Sequence, residues 1–499
     1  MQVHNTAIEG LSIIELDVHG DNRGWFKENW QREKLAKAAP ELASFQPVQN
    51  NISYNRTGAT RGLHAEPWDK LISVAHGKIF GAWCDLREGS ATFGKIVTHE
   101  VGPETAVFVP RGVANGFQAL EETSYSYLVN EHWSPEARYT GTNLDAVEWP
   151  LEPREVSEKD KQLPALADVA PMPPRKILVT GANGQLGRAL KRVLKNAEFC
   201  THAEFDITNP PQRQWKQYEA IINCAAYNDV NGAEDDRAAA WAVNAEAPAK
   251  LARIAAENQL TFVHVSSDYI FDGSKELHTE DENPSPLSAY GASKAAGETA
   301  AQTTPQHYVV RTSWVFGDGP NFIATMRRLA EADKEPKVIH DQRGRPTFAE
   351  DLAKGIAHLL RTRPEYGIYN ISNSGDTVGR DEMAMSVFIG LGHDPSEVTP
   401  VSTEQYREIA GPEAPRPKES TLALDKIEAT GFSPQNWRAA LALYLALYPS
   451  VPSEPSEPSE PSVPSSAGEP SATGDTSEPS AEETAGTANT TENTEASEE

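Results

Sequence analysis

The chain is poor in cysteine, with three in 499 residues: Cys84, Cys200 and Cys224. None stands at a disulfide or metal-type spacing, and each sits in an apolar, strand-like context. Buried reduced thiols are therefore expected. An excess of basic charge is also lacking. Lys and Arg number 45 against 72 Asp and Glu, a formal net charge of −27, which argues against nucleic acid as a partner. No apolar run is long enough to cross a bilayer and no secretory signal pattern opens the chain, so no membrane partner and a cytoplasmic location are expected. From Pro449 onward there is no aromatic residue, Lys or Arg. That stretch is Ser, Pro, Glu, Thr and Ala with repeated Ser-Glu-Pro units, and it cannot bury enough apolar surface to offset its ordering entropy. A disordered acidic tail over 449–499 is expected. It holds 12 of the acidic residues, leaving −15 on the remainder, and it accounts for much of the low mean hydropathy of −0.53.

What remains is long enough for two or three domains. Residues 1 to about 150 alternate short apolar runs with Gly, Pro and Asn, as in Leu71-Ile-Ser-Val, Lys78-Ile-Phe-Gly-Ala-Trp-Cys and Ala106-Val-Phe-Val. This spacing predicts an all-β sandwich or barrel, interrupted by a helix over Arg32 to Ala39. Residues 151 to 174 are charged, then Pro-rich, and predict an extended linker. From Lys176 the pattern changes to strands alternating with helices: Ile177-Leu-Val-Thr, Ala220-Ile-Ile-Asn-Cys, a helix from about Glu234 to Asn258, and Leu260-Thr-Phe-Val-His-Val-Ser-Ser. That order predicts a doubly wound parallel sheet. The expected division is 1–165, a linker at 166–175, 176–448, and the tail.

Gly181-x-x-Gly184-x-x-Gly187 follows a strand and opens a helix. Missing Cβ atoms let a backbone approach a pyrophosphate that the helix N-terminus then stabilises. Glycines also serve ordinary turns, but the strand before and the helix after favour a dinucleotide. Tyr290 and Lys294 lie one helical turn apart and face one side. A nearby ammonium is expected to lower the phenol and make it a proton donor to a carbonyl. An isolated Tyr and Lys at this spacing are commonly mere surface residues. Here Ser266-Ser267-Asp268 ends a preceding strand at the edge where such sheets bind ligands.

Residues 176 to 448 resemble the extended short-chain dehydrogenases, most closely the dTDP-4-dehydrorhamnose reductases. The likeness runs through Val265-Ser-Ser-Asp-Tyr-Ile-Phe-Asp-Gly273, Ser288-Ala-Tyr-Gly-Ala-Ser-Lys294, Arg311-Thr-Ser-Trp-Val-Phe316, Asp341-Gln-Arg-Gly-Arg-Pro-Thr347 and Arg416-Pro-Lys-Glu-Ser420. It implies a Rossmann domain with a small substrate-binding subdomain, and Ser267, Tyr290 and Lys294 as the catalytic set. The family usually has Thr at Ser267, and the hydroxyl is retained. It further implies a cofactor site at Gly181, Asn183, Gly184, Gln185, Leu186, Gly187, Asp206, Ile207, Ala225, Ala226 and Tyr227. Asp268, Tyr269, Trp314 and Arg416 become substrate contacts, although Trp314 could equally be core. No Arg follows the second strand to grip a 2′-phosphate and no acid is placed for a 2′-hydroxyl, so NADPH and NADH both stay open.

In the first half, Arg61-Gly-Leu-His64, Lys70, Asp85-Leu-Arg87 and Tyr125-Ser-Tyr127 punctuate the strands. Alternation puts Tyr125 and Tyr127 on one face. A lone His in a barrel is more often structural, but Arg, His, Lys and Tyr converging there is costly unless charge is handled. His64, His76, His99 and His132 include no His-x-His pair, and no metal is expected. This half resembles the dTDP-4-dehydrorhamnose 3,5-epimerases through Asp21-Asn-Arg-Gly-Trp-Phe-Lys-Glu28, Gln49-Asn-Asn51, Arg61-Gly-Leu-His64, Lys70, Val109-Pro-Arg-Gly-Val-Ala-Asn-Gly-Phe117, Tyr127 and Val156-Ser-Glu-Lys-Asp160. The resemblance implies a cupin-like jelly-roll barrel. In it His64 is the base, Asp160 its orienting partner, Tyr127 the acid and Lys70 an enolate stabiliser. Arg23 and Arg61 would hold a diphosphate, with Phe26, Glu28, Gln49 and Asn51 as further substrate contacts. Asn115 and Trp133 stand where many relatives have His and Tyr. Together the two resemblances imply consecutive epimerisation and reduction of one dTDP-sugar, and a homodimer formed through the barrel. The alternatives are that one half is a nucleotide-binding or regulatory module, or that the substrate is a different deoxysugar nucleotide.

Overall fold

The computed structural model describes residues 1–448 except 40, 41, 43, 44 and 136. The expectation of a disordered tail over 449–499 lies outside the described residues.

Two antiparallel sheets build the first half. One has the order Gln2–Asn5, Ser12–Glu15, Thr105–Val109, Lys70–His76, Thr123–Val129, Gln49–Asn55. The other runs Thr140–Gly141, Thr60–Ala65, Val113–Ala119, Ile79–Asp85, Ile96–Val101. Period-2 alternation divides each strand between two environments. Ile72, Val74, Trp83, Val107, Phe117 and Tyr125 form a shared cluster drawn from both sheets. Their alternating neighbours Leu71 and Phe108 instead meet Leu35 of the helix Arg32–Ala38 on the far side of the six-stranded sheet. Leu63, Ala65, Ala82 and Cys84 likewise meet Val169 and Met172 outside the five-stranded sheet. Met172 is fully buried, and its N–H donates to the Leu86 carbonyl at 2.7 Å. The stretch expected to be an extended linker instead holds a helix, Glu158–Lys161, and a 3-10 turn, Leu166–Asp168, and only the Pro-rich end after them is free of helix. It packs along the sheet because its few apolar side chains find a cluster to complete.

The second half is a six-stranded parallel sheet in the order Ala197–Cys200, Lys176–Thr180, Tyr218–Asn223, Thr261–Ser267, His307–Thr312, Gly367–Asn370. Ile177 and Val179 pack on one face with Leu186, Leu190, Leu352 and Ile356, while Leu178 packs on the other with Leu251, Ala255 and Ala301. Helices cover both faces, as a doubly wound fold requires. The expected helix from Glu234 to Asn258 is broken. Gly232–Asp235 and Arg237–Trp241 are separated at Asp236, whose carboxylate caps Ala239 N at 3.0 Å, and a π turn spans Ala242–Glu246 before Ala247–Glu257. Pro248 has no N–H to return to residue 244, and such gaps loosen the helical ladder. A further layer after the fifth strand packs the helices Phe322–Glu331, Arg380–Gly390 and Trp437–Leu447 around Phe316, Phe348, Phe388 and Trp437. Among the described residues no helix is long and apolar enough to cross a membrane.

Candidate active sites

In the β half, His64 lies on the five-stranded sheet and its Cα partner on the adjacent strand is Asn115. Leu63 and Ala65 belong to the outer cluster, so His64 faces the other sheet. A register shift between Asn115 and Phe117 pairs Arg61 with Phe117, which is itself in the inner cluster. Arg61 and His64, three apart, thus share the inner side, which strict alternation forbids. Gly62 makes this possible: its φ is +114°, and a Cβ there would lie 2.5 Å from the Gly116 Cα. The His64 Nε2 meets Asp160 Oδ1 at 2.7 Å. Burial pushes the Asp160 carboxyl up, but the bond and charge of His64, with the Gly62 and Ser157 groups, outweigh it and leave it below its ordinary value.

From the facing sheet come Lys70, Tyr125 and Tyr127. The Lys70 ammonium sits 4.9 Å from the Tyr127 ring centroid and is ion-paired with Glu66. Burial, then the Glu66 charge, raises the Tyr127 phenol, with Arg61 and the Asn51 hydrogen bond acting the other way. Asn115 donates to the Tyr125 hydroxyl at 3.3 Å, and the Tyr125 and Tyr127 rings are 5.8 Å apart. His64, Arg61, Lys70, Tyr127 and Asp160 are therefore brought together, with Asn51 opposite Tyr127 in the ladder and Gln49 bonded to Asn51 at 2.8 Å. Arg23, Phe26 and Glu28 are not gathered with them. They stand on the hairpin Val18–Asp21/Gly24–Lys27 and just after it. There Arg23 pairs with Asp21, Glu28 pairs with Lys34, and Phe26 is 68% exposed. Trp133 is likewise exposed. Glu66 escaped the sequence reading; its i,i+4 spacing from Lys70 was the available signal.

In the parallel half, the chain leaves the strand Lys176–Thr180 for its neighbour Ala197–Cys200 and then crosses to its other neighbour Tyr218–Asn223, a reversal that opens a crevice at the carboxyl ends. Gly181 turns there with φ +71°, and a Cβ would meet Ala225 N at 2.7 Å. A Cβ at Gly187 would meet the Gly181 carbonyl at 2.4 Å. This side-chain-free cradle before the helix Gln185–Val193 fits a dinucleotide pyrophosphate. A cavity of about 480 Å³ adjoins it, lined by Gly184, Gln185, Leu186, Gly187 and Ala226 on one side and Ser267, Asp268, Tyr269, Tyr290, Lys294 and Trp314 on the other.

Ser267 donates to Asp268 Oδ1 at 2.9 Å. Asp268 is 2% exposed with Oδ2 unpartnered, and burial raises its carboxyl to about 6. The expected lowering of Tyr290 is reversed. Burial pushes the phenol up, and the Ser267 hydrogen bond counters only part of it. The Lys294 ammonium instead donates to the Val265 carbonyl at 2.6 Å, and burial lowers it to about 8. Trp314 is a wall of the cavity, held at φ +45°. Ile207 is 3% exposed in the core cluster, and Asp206 is occupied by the Thr208 amide and hydroxyl at 2.8 and 2.7 Å. Tyr227 backbone groups are held by Asn244. Arg416 pairs with Glu413 at 3.2 Å outside the cavity lining.

The family model described as dTDP-4-dehydrorhamnose 3,5-epimerase matches residues 5–168, and that described as RmlD substrate binding domain matches residues 175–449. A dTDP-4-dehydrorhamnose reductase of Mycobacterium tuberculosis is 38% identical over 287 residues, covering 54% of this chain and 92% of that protein. A protein of Streptococcus pyogenes serotype M6, named as an RmlC homolog, is 48% identical over 181 residues, 34% of this chain and 91% of that protein. The crystal structure of a dTDP-4-dehydrorhamnose reductase from Bacillus anthracis, in complex with NADP, aligns with a TM-score of 0.51 at 33% identity, over 55% of this chain and 100% of that one.

Proposed function

The chain belongs to two families at once, the dTDP-4-dehydrorhamnose 3,5-epimerases through residues 5–168 and the dTDP-4-dehydrorhamnose reductases through residues 175–449, and from that premise we propose that it performs consecutive steps on one sugar nucleotide. The β half inverts C3 and C5 of dTDP-4-dehydro-6-deoxy-D-glucose. The parallel half reduces the C4 ketone to give dTDP-L-rhamnose.

In the first step His64 removes the proton beside the ketone. Asp160, 2.7 Å from its Nε2, orients the ring and stabilises the imidazolium that forms. Charge developing on the enolate oxygen is met by Lys70. Tyr127, on the opposite sheet, returns a proton from the other face, and its raised phenol suits a donor that must stay protonated. Arg61, on the same inner side as His64, is suited to the diphosphate.

In the second step a nicotinamide dinucleotide would supply the hydride, and the Gly181 to Gly187 turn would hold its pyrophosphate. Tyr290 gives its proton to the C4 oxygen, Ser267 bonds the same oxygen, and the Lys294 ammonium stabilises the phenolate left behind. The NADP of the Bacillus anthracis relative supports NADPH as donor, with NADH as the alternative. Asp268, Tyr269 and Trp314 are the proposed sugar contacts.

We further propose a cupin-type barrel for residues 1–165, joined through 166–175 to the reductase at 176–448, in a cytoplasmic enzyme. A homodimer through the barrel is supported by the outward apolar residues Ile52 and Tyr54, 71% and 59% exposed on the edge strand Gln49–Asn55. The observation that carries the functional reading is the meeting of Ser267, Tyr290 and Lys294 with the glycine cradle around one cavity. The test is to supply dTDP-4-dehydro-6-deoxy-D-glucose with NADPH and follow absorbance. Oxidation by the whole chain alone is expected. Oxidation only after a separate epimerase is added would make the β half a mere binding module.

A further inference from the structure

The cavity holds two cations, Lys294 and Arg380. Lys294 is committed to the Val265 carbonyl at the sheet end. Arg380 is not committed in this way. It opens the helix Arg380–Gly390 in the added layer, far along the chain from the motifs of the parallel sheet. Its guanidinium carbon lies 4.8 Å from the Trp314 ring centroid and 5.9 Å from that of Phe322. One nitrogen, Nη2, donates to the Tyr269 hydroxyl at 2.9 Å. Its Nε is buried and has no hydrogen-bond partner, and no salt bridge involves the side chain among the described residues. The closest acidic influence runs the other way: Arg380 helps hold down Asp268, whose burial drives it up.

A guanidinium held over an indole is fixed in direction, and one with no carboxylate paired to it keeps N–H groups for phosphate oxygens in the cavity it lines. We propose that Arg380 binds the diphosphate of the sugar nucleotide in the reductase cavity and so sets where the C4 ketone falls relative to Tyr290. Trp314 is the platform that aims it, and the positive φ of Trp314 is the backbone cost of that placement. This rests on the reading of the cavity as a nucleotide-sugar site. It differs from the contact expected of Arg416, which is held by Glu413 and lies outside the lining.

The test uses the full chain saturated with NADPH. Thymidine diphosphate is titrated while nicotinamide fluorescence is followed, a signal that reports the cavity beside the cofactor and not the β half. Uncharged thymidine is the comparison ligand. In Arg380→Gln, thymidine diphosphate is expected to bind about tenfold or more weakly, the loss typical of a charge-assisted hydrogen bond, while thymidine and NADPH bind as in the wild type. Arg380→Lys should recover only part, since the fork is lost. Unchanged diphosphate affinity in Arg380→Gln, or a parallel loss of thymidine and NADPH, overturns the assignment. A wild-type chain that binds thymidine diphosphate through Arg380 yet never oxidises NADPH with the keto-sugar would defeat the functional reading and leave this one standing.

Discussion

Lys294 stores a measurable conflict between stability and function. It is 3% exposed, and burial lowers its ammonium from the ordinary 10.5 to about 8. At about 1.36 kcal/mol per pH unit, keeping it charged at pH 7 costs the fold about 3 kcal/mol. The folded-state value lies below the unfolded one. Between about pH 8 and 10.5 the unfolded chain therefore binds more protons, and stability rises with pH through that window. Lys294→Met removes the titration. It also removes the bond to the Val265 carbonyl, but that loss is the same at every pH and drops out of the comparison. Urea unfolding of both proteins from pH 7 to 10.5 should show the wild type gaining about 3 kcal/mol on the variant. Reductase kcat/KM of the wild type should fall as pH rises through about 8, because the ammonium proposed to stabilise the Tyr290 phenolate is lost. A stability gap that stays constant over the range, or a rate indifferent to pH 8, would refute the argument.

Tyr290→Phe should lower the reductase rate by about 10²- to 10⁴-fold, the usual contribution of a positioned proton donor. Solvent deuterium should still enter the sugar at C3 and C5 by NMR, because the β half is untouched. Asp160→Asn should slow that deuterium entry by a comparable factor while NADPH oxidation of pre-epimerised substrate continues. Because the Asp160 carboxyl is depressed in the fold, its contribution to stability is present above its ordinary 3.8 and is lost as pH falls below that through the lowered value. Acid unfolding of wild type and Asp160→Asn should therefore converge at low pH. Gly181→Ala puts a Cβ 2.7 Å from Ala225 N at a φ of +71°. Backbone strain of about 1–3 kcal/mol and weakened NADPH affinity should appear together in fluorescence titration and thermal unfolding.

Much of this molecule is determined locally. Period-2 alternation in residues 60 to 129 decides which side chains face between the sheets, and Gly187 is dictated by backbone contacts with Gly181 and Ala182 within one strand-turn-helix unit. Tyr290 and Lys294 share a helix face by geometry alone. These features depend on residues close in sequence, so pattern reveals them. What lies beyond pattern depends on contacts between distant segments. The bulge that turns Arg61 and His64 to one side is a matter of how Asn115 to Phe117 pair with them. The depth of burial that raises Asp268 to about 6, lifts Tyr290 and lowers Lys294 is set by the layers packed over the sheet. The burial of Met172 likewise arises where its side chain meets partners far along the chain. Arg380 shows the division most plainly. Nothing near it in sequence marks it, yet the fold lays it across Trp314, some 66 residues earlier, and turns an unremarked arginine into a lining cation. Residue types and spacing determined which chemistries this chain could carry; the tertiary structure decided which charges face each cavity and how strongly burial shifts them, because desolvation and cross-chain pairing exist only once the layers are packed.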